Sequence, residues 1–373
     1  MTDRSCVLPW IGKCVWNGGH VTPCCRYNNP HDHSKLNNKN TMSGYSWKSL
    51  QREMVYGASP EGCMKCQVED AAGVPSMRRE FNAIYEDVDT SVIDTRMPPR
   101  YLELSFGNLC NLACRMCDTR DSTRWSGVAR HLKSEFGFPM MDQHPEWRLD
   151  IDSIDVDLSH VDRLKFMGGE PMLHPDHELF LERLVQDNQF SGRITARYHT
   201  NATIKPSDRV LELWEQLGEV QVALSVDGVG TVNDYVRPPS KWAQVESIAQ
   251  WYRDLNMPNL QIHCHTAVSI LNCFDLHNLQ QWTQDMGIRI WNRDIVRDPG
   301  YLFIGNAPYD YKHRLRLYLE QLPFDTGVIE GCCDMTQNLH RWKEFLEVTK
   351  ELDRYWSDTL QYNNSILWSY MHG

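Results

Sequence analysis

Three closely spaced cysteines give the clearest chemical signal in the sequence. Cys110, Cys114 and Cys117 form a Cys-x3-Cys-x2-Cys segment directly after a predicted strand. Three thiolates on one compact loop can bind three irons of a four-iron–four-sulfur cluster, which leaves the fourth iron open to a substrate or cofactor. A structural zinc site normally closes its coordination with four protein ligands. The spacing therefore favours a catalytic cluster over a partial zinc site or cysteines placed by chance.

A second group of cysteines lies in the N-terminal part of the chain. Four cysteines can bind zinc in a ribbon-like site or hold a second iron–sulfur cluster. Cys25 adjoins one of the four and Cys14 lies nearby, so either could replace an assigned ligand. The four assigned ligands are Cys6, Cys24, Cys63 and Cys66.

The composition limits the classes of protein that the chain can belong to. It has 373 residues, 13 cysteines and a formal net charge of −11. An odd number of cysteines, without the apolar N-terminal segment of a signal peptide, argues against a disulfide scaffold and for metal binding or catalysis. The acidic balance gives no general attraction to nucleic acid or to anionic membranes. No apolar run reaches about 18 residues, so a membrane span is not expected. We therefore expect a soluble cytoplasmic protein, and its acidic charge makes binding to duplex nucleic acid unfavourable.

From about residue 98 onward, strand-like and helix-like segments alternate. This alternation predicts βαβ units, a parallel sheet and an α/β fold. Upstream, residues 13–25 have the pattern of a β-hairpin, with the turn at residues 17–19, and a short helix is predicted near 46–56. Residues 337–371 have apolar side chains at helical spacing. The predicted strands of the alternating region cover residues 101–105, 163–167, 193–201, 220–227, 260–268 and 289–291.

One face of strand after strand is polar. A parallel sheet covered by helices on both faces would read as nearly continuous apolar runs. A barrel with helices outside and a polar lumen explains the pattern better. Cationic side chains on the polar face favour a polar, anionic substrate such as a carboxylate, phosphate ester or nucleotide, although some will pair with Glu103 or Asp227. The candidate substrate-binding residues are Lys165, Arg193, Arg197, His199, His263 and His265.

The sequence resembles the radical S-adenosylmethionine (SAM) superfamily over residues 98–308. The resemblance is carried by the Cys110 segment and by FMGGEP (166–171), YHTNAT (198–203), LSVDG (224–228) and DYVRPP (234–239). It implies a partial (β/α)6 barrel in which Gly168 and Gly169 let the backbone approach the SAM amino group and Glu170 supplies the counter-charge. A plain strand-to-helix turn is the alternative for that segment. The resemblance also implies ribose or carboxylate contacts, with turn or capping roles as the alternative, for Asn201, Ser225 and Arg237.

The N-terminal cysteines resemble the twitch domain, a shortened SPASM domain that holds an auxiliary four-iron–four-sulfur cluster. Residues 63–82 are similar to the end of that module. The module usually follows the barrel, whereas here it precedes the barrel. The expected organisation is an auxiliary-cluster domain at 1–75, a helical connector at 76–97, the radical SAM barrel at 98–308 and a helical extension at 309–373.

The resemblance implies reductive cleavage of SAM to a 5′-deoxyadenosyl radical, which abstracts a hydrogen atom from the substrate. It also implies an external one-electron donor such as a flavodoxin or ferredoxin. Many enzymes with SPASM or twitch modules modify peptides, so a peptide-modifying maturase is an alternative. The occupation of the first 75 residues by the cluster module makes this alternative weaker. A non-catalytic zinc-binding interaction protein is the alternative from another class, and no catalytic acid or base is assigned.

Overall fold

The computed structural model describes residues 5–16, 20–28, 34–35, 45–71, 73, 76–136, 146–153, 156–188, 190–358 and 367–368. The predicted hairpin turn at 17–19 and most of the C-terminal segment after residue 358 lie outside these ranges. The described strands are β1 (Gly12–Val15), β2 (His20–Thr22), β3 (Ser34–Lys35), β4 (Tyr101–Ser105), β5 (Arg163–Met167), β6 (Thr195–Thr200), β7 (Glu219–Ser225), β8 (Leu260–Val268) and β9 (Arg289–Ile295).

The strands form an open and largely parallel sheet, so the fold is α/β. Their hydrogen-bonded order is β3-β2-β1-β4-β5-β6-β7-β8-β9. β1 and β2 pair antiparallel as the predicted hairpin, and β1 then pairs parallel to β4. β4 with β5, β5 with β6, and β8 with β9 are also parallel. An open parallel sheet with intervening helices is the arrangement expected of a partial barrel.

Alternating side chains explain why these segments are strands. In β5, Leu164 and Phe166 are buried, whereas Arg163, Lys165 and Met167 are half-buried. Successive strand residues point to opposite faces of a sheet, so one face of β5 joins the core and the other stays polar.

The parallel register aligns polar residues of neighbouring strands. Glu103 of β4 lies opposite Lys165 of β5, and Lys165 lies opposite Arg197 of β6. On the other side of β4, Cys14 of β1 lies opposite Glu103. These four residues therefore form one row across four strands.

The helices follow the predicted alternation. Local capping fixes several of their starts: Ser76, Ser207 and Asn338 accept hydrogen bonds from backbone amides in the first turn of their helices. The helices are α1 (Leu8–Ile11), α2 (Tyr45–Val55), α3 (Met64–Ala71), α4 (Met77–Ile84), α5 (Trp125–Phe136), α6 (Pro175–Asp187), α7 (Asp208–Trp214), α8 (Thr231–Val236), α9 (Trp242–Asp254), α10 (Leu276–Asp285), α11 (Tyr309–Leu319), α12 (Gly327–Cys333) and α13 (Leu339–Trp356).

The chain divides into two compact units. The first comprises Met1–Gly107, Trp147–Tyr198 and Pro206–Val220, and the second comprises Asn108–Glu146, His199–Lys205 and Gln221–Gly373. A core cluster in the first unit includes Trp10, Phe81 and Tyr101. A core cluster in the second unit joins helices α5, α11 and α13. Among the described residues, no helix combines the length and apolarity that a membrane crossing requires.

Candidate functional site

The loop that carries Cys110, Cys114 and Cys117 belongs to the second unit and follows β4. The three thiols are half-buried, and the amide of Cys117 donates to the carbonyl of Cys114 at 2.9 Å. The indole Nε1 of Trp125 in α5 donates to the same carbonyl at 2.8 Å. Trp125 is fully buried, so a rigid part of the core holds this turn of the loop.

Backbone hydrogen bonds join this loop to the segment that follows α8. The amide of Ala113 donates to the carbonyl of Pro238 at 2.7 Å, and the amide of Arg115 donates to the carbonyl of Val236 at 2.8 Å. Arg237 lies between these two acceptors in the chain. The same segment therefore positions both the cysteine loop and the Arg237 side chain.

Arg237 supplies positive charge next to the cysteine loop. Its Nη1 lies 3.8 Å from the Sγ of Cys114, and its Nε lies 2.6 Å from the Oδ2 of buried Asp227. The Oδ1 of Asp227 accepts a hydrogen bond of 2.7 Å from the amide of Ala267. Burial raises the pKa of the Cys114 thiol, and the Arg237 guanidinium opposes that rise. Metal binding requires the thiolate form, which the adjacent cation stabilises.

Asn201 also lies at this loop. Its Nδ2 donates to the Oδ1 of Asn111 at 2.8 Å and lies 3.9 Å from the Sγ of Cys110. Its Oδ1 accepts a hydrogen bond of 3.0 Å from the amide of Thr203. This bond is of the kind expected for a turn residue, which was the alternative to a cofactor contact for Asn201. Ser225 is half-buried at the end of β7. The structure thus brings Asn201 and Arg237 to the cysteine loop.

The GGEP segment lies in the first unit, directly after β5. Gly168 and Gly169 have positive φ angles of 72° and 50°. A Cβ on Gly168 would lie 2.0 Å from the Oγ of Ser105, so no side chain fits there. Glu170 is buried, and its carboxylate accepts a hydrogen bond of 3.2 Å from the amide of Met172. The segment therefore is a strand-to-helix turn, and it also offers the bare backbone that the predicted cofactor contact requires.

The four N-terminal ligand candidates lie together in the first unit. Cys6, Cys24, Cys63 and Cys66 line one cavity, with Tyr27 and Met54 among its other lining residues. Burial is the main cause of a raised pKa at each of the four thiols, and it raises the pKa of Cys6 to about 12. Grouped thiols in an apolar pocket are the donor set that an iron–sulfur cluster uses.

The backbone around Cys6 is held by polar side chains of α4. Asn82 accepts from the amide of Val7 at 2.9 Å and donates to the carbonyl of Ser5 at 2.9 Å. Arg78 also donates to the carbonyl of Ser5, at 3.1 Å. Both flanks of Cys6 are thus anchored to α4.

Cys25 has different neighbours from Cys24. The Nζ of Lys165 lies 3.6 Å from the Sγ of Cys25 and 3.6 Å from the Oε2 of Glu103. The amide of Cys25 donates to the Oε1 of Glu103 at 3.2 Å. Glu103 and Cys14 are both fully buried. The lining residues described for the four-cysteine cavity include neither Cys14 nor Cys25.

The candidate substrate-binding residues of the first unit differ in their surroundings. Lys165 pairs with Glu103, which is one of the two carboxylates that the sequence offered as partners for these cations. Arg197 has an exposed side-chain fraction of 23% and lies 3.8 Å from Glu80 of α4, whose side chain is 48% exposed. Arg193 lies in a 3-10 turn before β6, is exposed, and its guanidinium lies over the ring of Phe190. Arg193 is thus outside the strand on which it was expected.

The three histidine candidates lie in the second unit. The rings of His199 and His265 are 4.9 Å apart, and the Nε2 of His265 lies 3.2 Å from the Oδ2 of Asp294. His263 lies 5.0 Å from the ring of Trp291. Asp294 was missed because the predicted strand ended at residue 291, whereas β9 continues to Ile295.

The residues fit the groups that the resemblance implies. Three thiols share one loop, a cation lies beside Cys114, and the GGEP backbone is bare where a Cβ would clash. Within the described ranges, no group of three or more His, Cys, Asp and Glu side chains is arranged to hold a single metal ion.

Comparison with known proteins assigns part of the chain to a family. Residues 104–272 match the family model described as the radical SAM superfamily. Comparison with curated proteins returned no match.

Several solved structures are similar to this chain. Native anSMEcpe with bound AdoMet has 16% identity and a TM-score of 0.37, and the match covers 59% of this chain and 63% of that chain. Streptococcus suis SuiB bound to S-adenosylmethionine has 12% identity and a TM-score of 0.34, covering 77% and 64%. TYW1 with a lysine-pyruvate adduct bound has 12% identity and a TM-score of 0.31, covering 60% and 72%. The chain thus spans less than two thirds of the first two structures.

Proposed function

We propose that this chain is a radical SAM enzyme, that it binds its catalytic cluster through Cys110, Cys114 and Cys117, and that it acts on a polar substrate that carries an anionic group. One observation supports the assignment of the cluster ligands: the three thiols share a loop held by Trp125 and by the α8 segment, and Arg237 lies beside Cys114. Arg197, a largely buried cation of the polar strand face, supports the assignment of an anionic substrate.

Each cofactor-binding role falls to specific residues. When bound, the reduced cluster and SAM supply a carbon-centred radical that abstracts hydrogen from a substrate. The backbone at Gly168 and Gly169 would receive the SAM amino group, and Glu170 would provide its counter-charge. Asn201, Ser225 and Arg237 would bind the ribose or carboxylate, and Asp227 holds Arg237 through the ion pair of 2.6 Å.

The N-terminal cavity is proposed to hold the auxiliary four-iron–four-sulfur cluster. The support is that Cys6, Cys24, Cys63 and Cys66 line one cavity, whereas Cys25 contacts Lys165 and Glu103. The hydrogen bonds of Asn82 on both flanks of Cys6 keep that ligand in place before iron arrives. A cluster held there would be able to exchange electrons with the substrate, and the external one-electron donor is proposed to be of the flavodoxin or ferredoxin class.

Arg197 is the proposed anchor for the anionic group of the substrate. The Nζ of Lys165 lies 3.6 Å from a carboxylate oxygen of buried Glu103, whereas the carboxylate of Glu80, 3.8 Å from the Arg197 guanidinium, is half-exposed. Burial lowers the pKa of Arg197, but a guanidinium stays charged at neutral pH. A substrate carboxylate or phosphate that replaces Glu80 would gain a charge-assisted, bidentate hydrogen bond.

Cofactor cleavage tests the enzymatic assignment. The anaerobically purified protein is incubated with SAM and dithionite, and 5′-deoxyadenosine and methionine are measured together with bound iron and zinc. We expect iron and both products from the wild type and from Cys332→Ala, a control at a buried helix cysteine, and no product from Cys114→Ala. A colourless protein with stoichiometric zinc and no product would instead support the zinc-binding alternative.

Substrate binding is tested with matched arginine variants. Candidate carboxylates, phosphate esters, nucleotides and peptides are screened for stimulation of 5′-deoxyadenosine formation. Arg197→Gln should lose stimulation by an anionic substrate but keep the slow substrate-free cleavage, whereas Arg193→Gln should behave like the wild type. Equal stimulation in both variants would exclude Arg197 as the anchor, and stimulation by peptides alone would favour the maturase alternative.

A further inference from the structure

A buried arginine lies between two of the cluster ligands in the sequence. Arg115 separates Cys114 from Met116 and Cys117, and its exposed fraction is 1%. Its Nε donates to the carbonyl of Tyr235 at 2.8 Å, and its guanidinium carbon lies 3.7 Å from the centroid of the Tyr235 ring. A fully buried guanidinium is costly unless it is paired and hydrogen-bonded, so its partner matters.

That partner comes from the helix α13. The Nη2 of Arg115 donates to the Oδ1 of Asp353 at 2.7 Å, and the hydroxyl of Tyr235 donates to the same oxygen at 2.8 Å. The Nη1 of Arg115 is buried without a hydrogen-bond partner in the described part of the chain. Asp353 is therefore the carboxylate that compensates this cation among the described residues.

Tyr235 and helix α13 also contact the residues that position the loop of Cys114 and Cys117. Tyr235 lies in the last turn of α8, and the carbonyls of Val236 and Pro238, on either side of Arg237, accept the amides of Arg115 and Ala113. The ring of Trp356, one turn after Asp353 in α13, lies 5.2 Å from the Arg115 guanidinium and 6.4 Å from the ring of Trp125. Trp125 in turn donates to the carbonyl of Cys114. One end of α13 thus contacts the loop from two sides.

We propose that Asp353 of helix α13 is a positioning residue for the catalytic cluster, and that it acts through Arg115 and Tyr235 on the loop of Cys114 and Cys117. The role has two parts. Asp353 fixes the loop through Arg115, and it neutralises the buried positive charge of the residue that follows Cys114 in the loop. The proposal rests on the proposed assignment of the three cysteines as cluster ligands, but it involves neither the substrate nor the auxiliary site.

The two parts predict different signals. Asp353→Asn keeps the shape of the side chain but leaves Arg115 uncompensated. An uncompensated cation near an anionic cluster stabilises the reduced form, so the reduction potential of the catalytic cluster should become less negative. Loss of the anchor should also make iron leave the three-cysteine site several-fold faster in the presence of a chelator.

A neighbouring carboxylate provides a matched control. Glu351 lies on the same helix and its side chain is 7% exposed, against 19% for Asp353, but its carboxylate pairs with Arg354 and with His131 of α5. Glu351→Gln therefore removes one buried negative charge from α13 without removing the partner of Arg115. Asp353→Glu restores the carboxylate and should recover most of the wild-type behaviour. Tyr235→Phe removes one hydrogen bond to Asp353 and keeps the charges, so it should accelerate iron loss without shifting the potential.

The experiment uses the full-length, anaerobically reconstituted protein. The catalytic cluster is identified as the paramagnetic signal that changes on addition of SAM, and its potential is obtained by redox titration with that signal as the readout. We expect a less negative potential for Asp353→Asn, wild-type values for Glu351→Gln, and recovery in Asp353→Glu.

Two results separate the possible failures. A wild-type protein without a SAM-responsive cluster would refute the proposed function itself. A normal wild-type cluster, with the same potential and rate of iron loss in Asp353→Asn or with equal shifts in Glu351→Gln, would refute the positioning role alone. If Asp353→Asn does not fold, unchanged iron loss in Tyr235→Phe would overturn the proposal.

Discussion

Gly168 provides the sharpest test of the proposed cofactor contact, because its backbone conformation and its surroundings both exclude a side chain. Its φ angle is 72°, and a Cβ would lie 2.0 Å from the Oγ of Ser105 and 3.0 Å from the carbonyl oxygen of Gly107. The left-handed conformation costs an L-residue about 1–2 kcal/mol, and overpacking costs about 1–3 kcal/mol. Gly168→Ala should therefore lower the free energy of unfolding by about 2–5 kcal/mol.

Two other glycines allow the cost of the left-handed conformation to be measured separately from the cost of overpacking. Gly287 has a φ of 66° and open space where a Cβ would lie, so Gly287→Ala should cost only the conformational term of about 1–2 kcal/mol. Gly192 has open space and no positive φ, so Gly192→Ala should change stability by about 1 kcal/mol or less. Ser105→Ala should partly rescue Gly168→Ala, because it removes the nearest atom.

The assay is urea denaturation of the iron-free variants, followed by equilibrium binding of SAM to the reconstituted proteins. Gly168→Ala should weaken SAM binding by on the order of tenfold or more, or about 1.4 kcal/mol, while Gly287→Ala should leave binding unchanged. Equal destabilisation in Gly168→Ala and Gly287→Ala would refute the close approach to Ser105. Unchanged SAM affinity in Gly168→Ala would refute the cofactor contact.

Three further predictions concern the cysteine sites and the buried ionisable groups. Cys63→Ala should lower the iron content by about four atoms per chain, whereas Cys25→Ala should retain it; elemental analysis after reconstitution distinguishes the two, and iron loss in Cys25→Ala would revise the ligand set. Burial lowers the pKa of His177 to about 3 from 6.5, so the unfolded chain binds a proton that the folded chain does not. The wild type should lose up to about 1.4 kcal/mol of stability per pH unit between these values as the pH falls, and His177→Phe should flatten that slope; parallel slopes would exclude His177 as the cause. Glu103→Gln leaves half-buried Lys165 without its fully buried carboxylate partner and should cost up to about 3–5 kcal/mol, and adding Lys165→Met should recover part of this loss in thermal unfolding; additive losses would contradict the pairing.

The strand pattern could be predicted because alternation reports directly on which face is buried. The segment at 163–167 matches β5, and the segment at 260–268 matches β8. The beginning of β6 could not be predicted in the same way. Residues 191–193 form a 3-10 turn in which the amide of Arg193 donates to the carbonyl of Phe190 at 2.8 Å. Such a turn depends on local hydrogen bonds that polar alternation does not reveal, and it moves Arg193 off the strand.

The partners of the charged residues were harder to predict than the residues themselves. Lys165 and Glu103 pair because neighbouring parallel strands bring them into register. Arg197 forms an ion pair with Glu80, on a helix more than a hundred residues earlier in the sequence, and nothing in the local pattern indicates this contact. Arg115 was missed because residues between ligand cysteines read as spacers, and its partner Asp353 lies 238 positions away.

The account depends most on a catalytic cluster with three protein ligands and one open iron. Mössbauer spectroscopy of protein reconstituted with ⁵⁷Fe, in a Cys63→Ala and Cys66→Ala background, tests this directly. Addition of SAM should change the spectrum of about one iron in four, because only the iron without a thiolate ligand binds the cofactor. Four irons that all remain unchanged, with a fourth protein side chain bound to the cluster, would contradict the account.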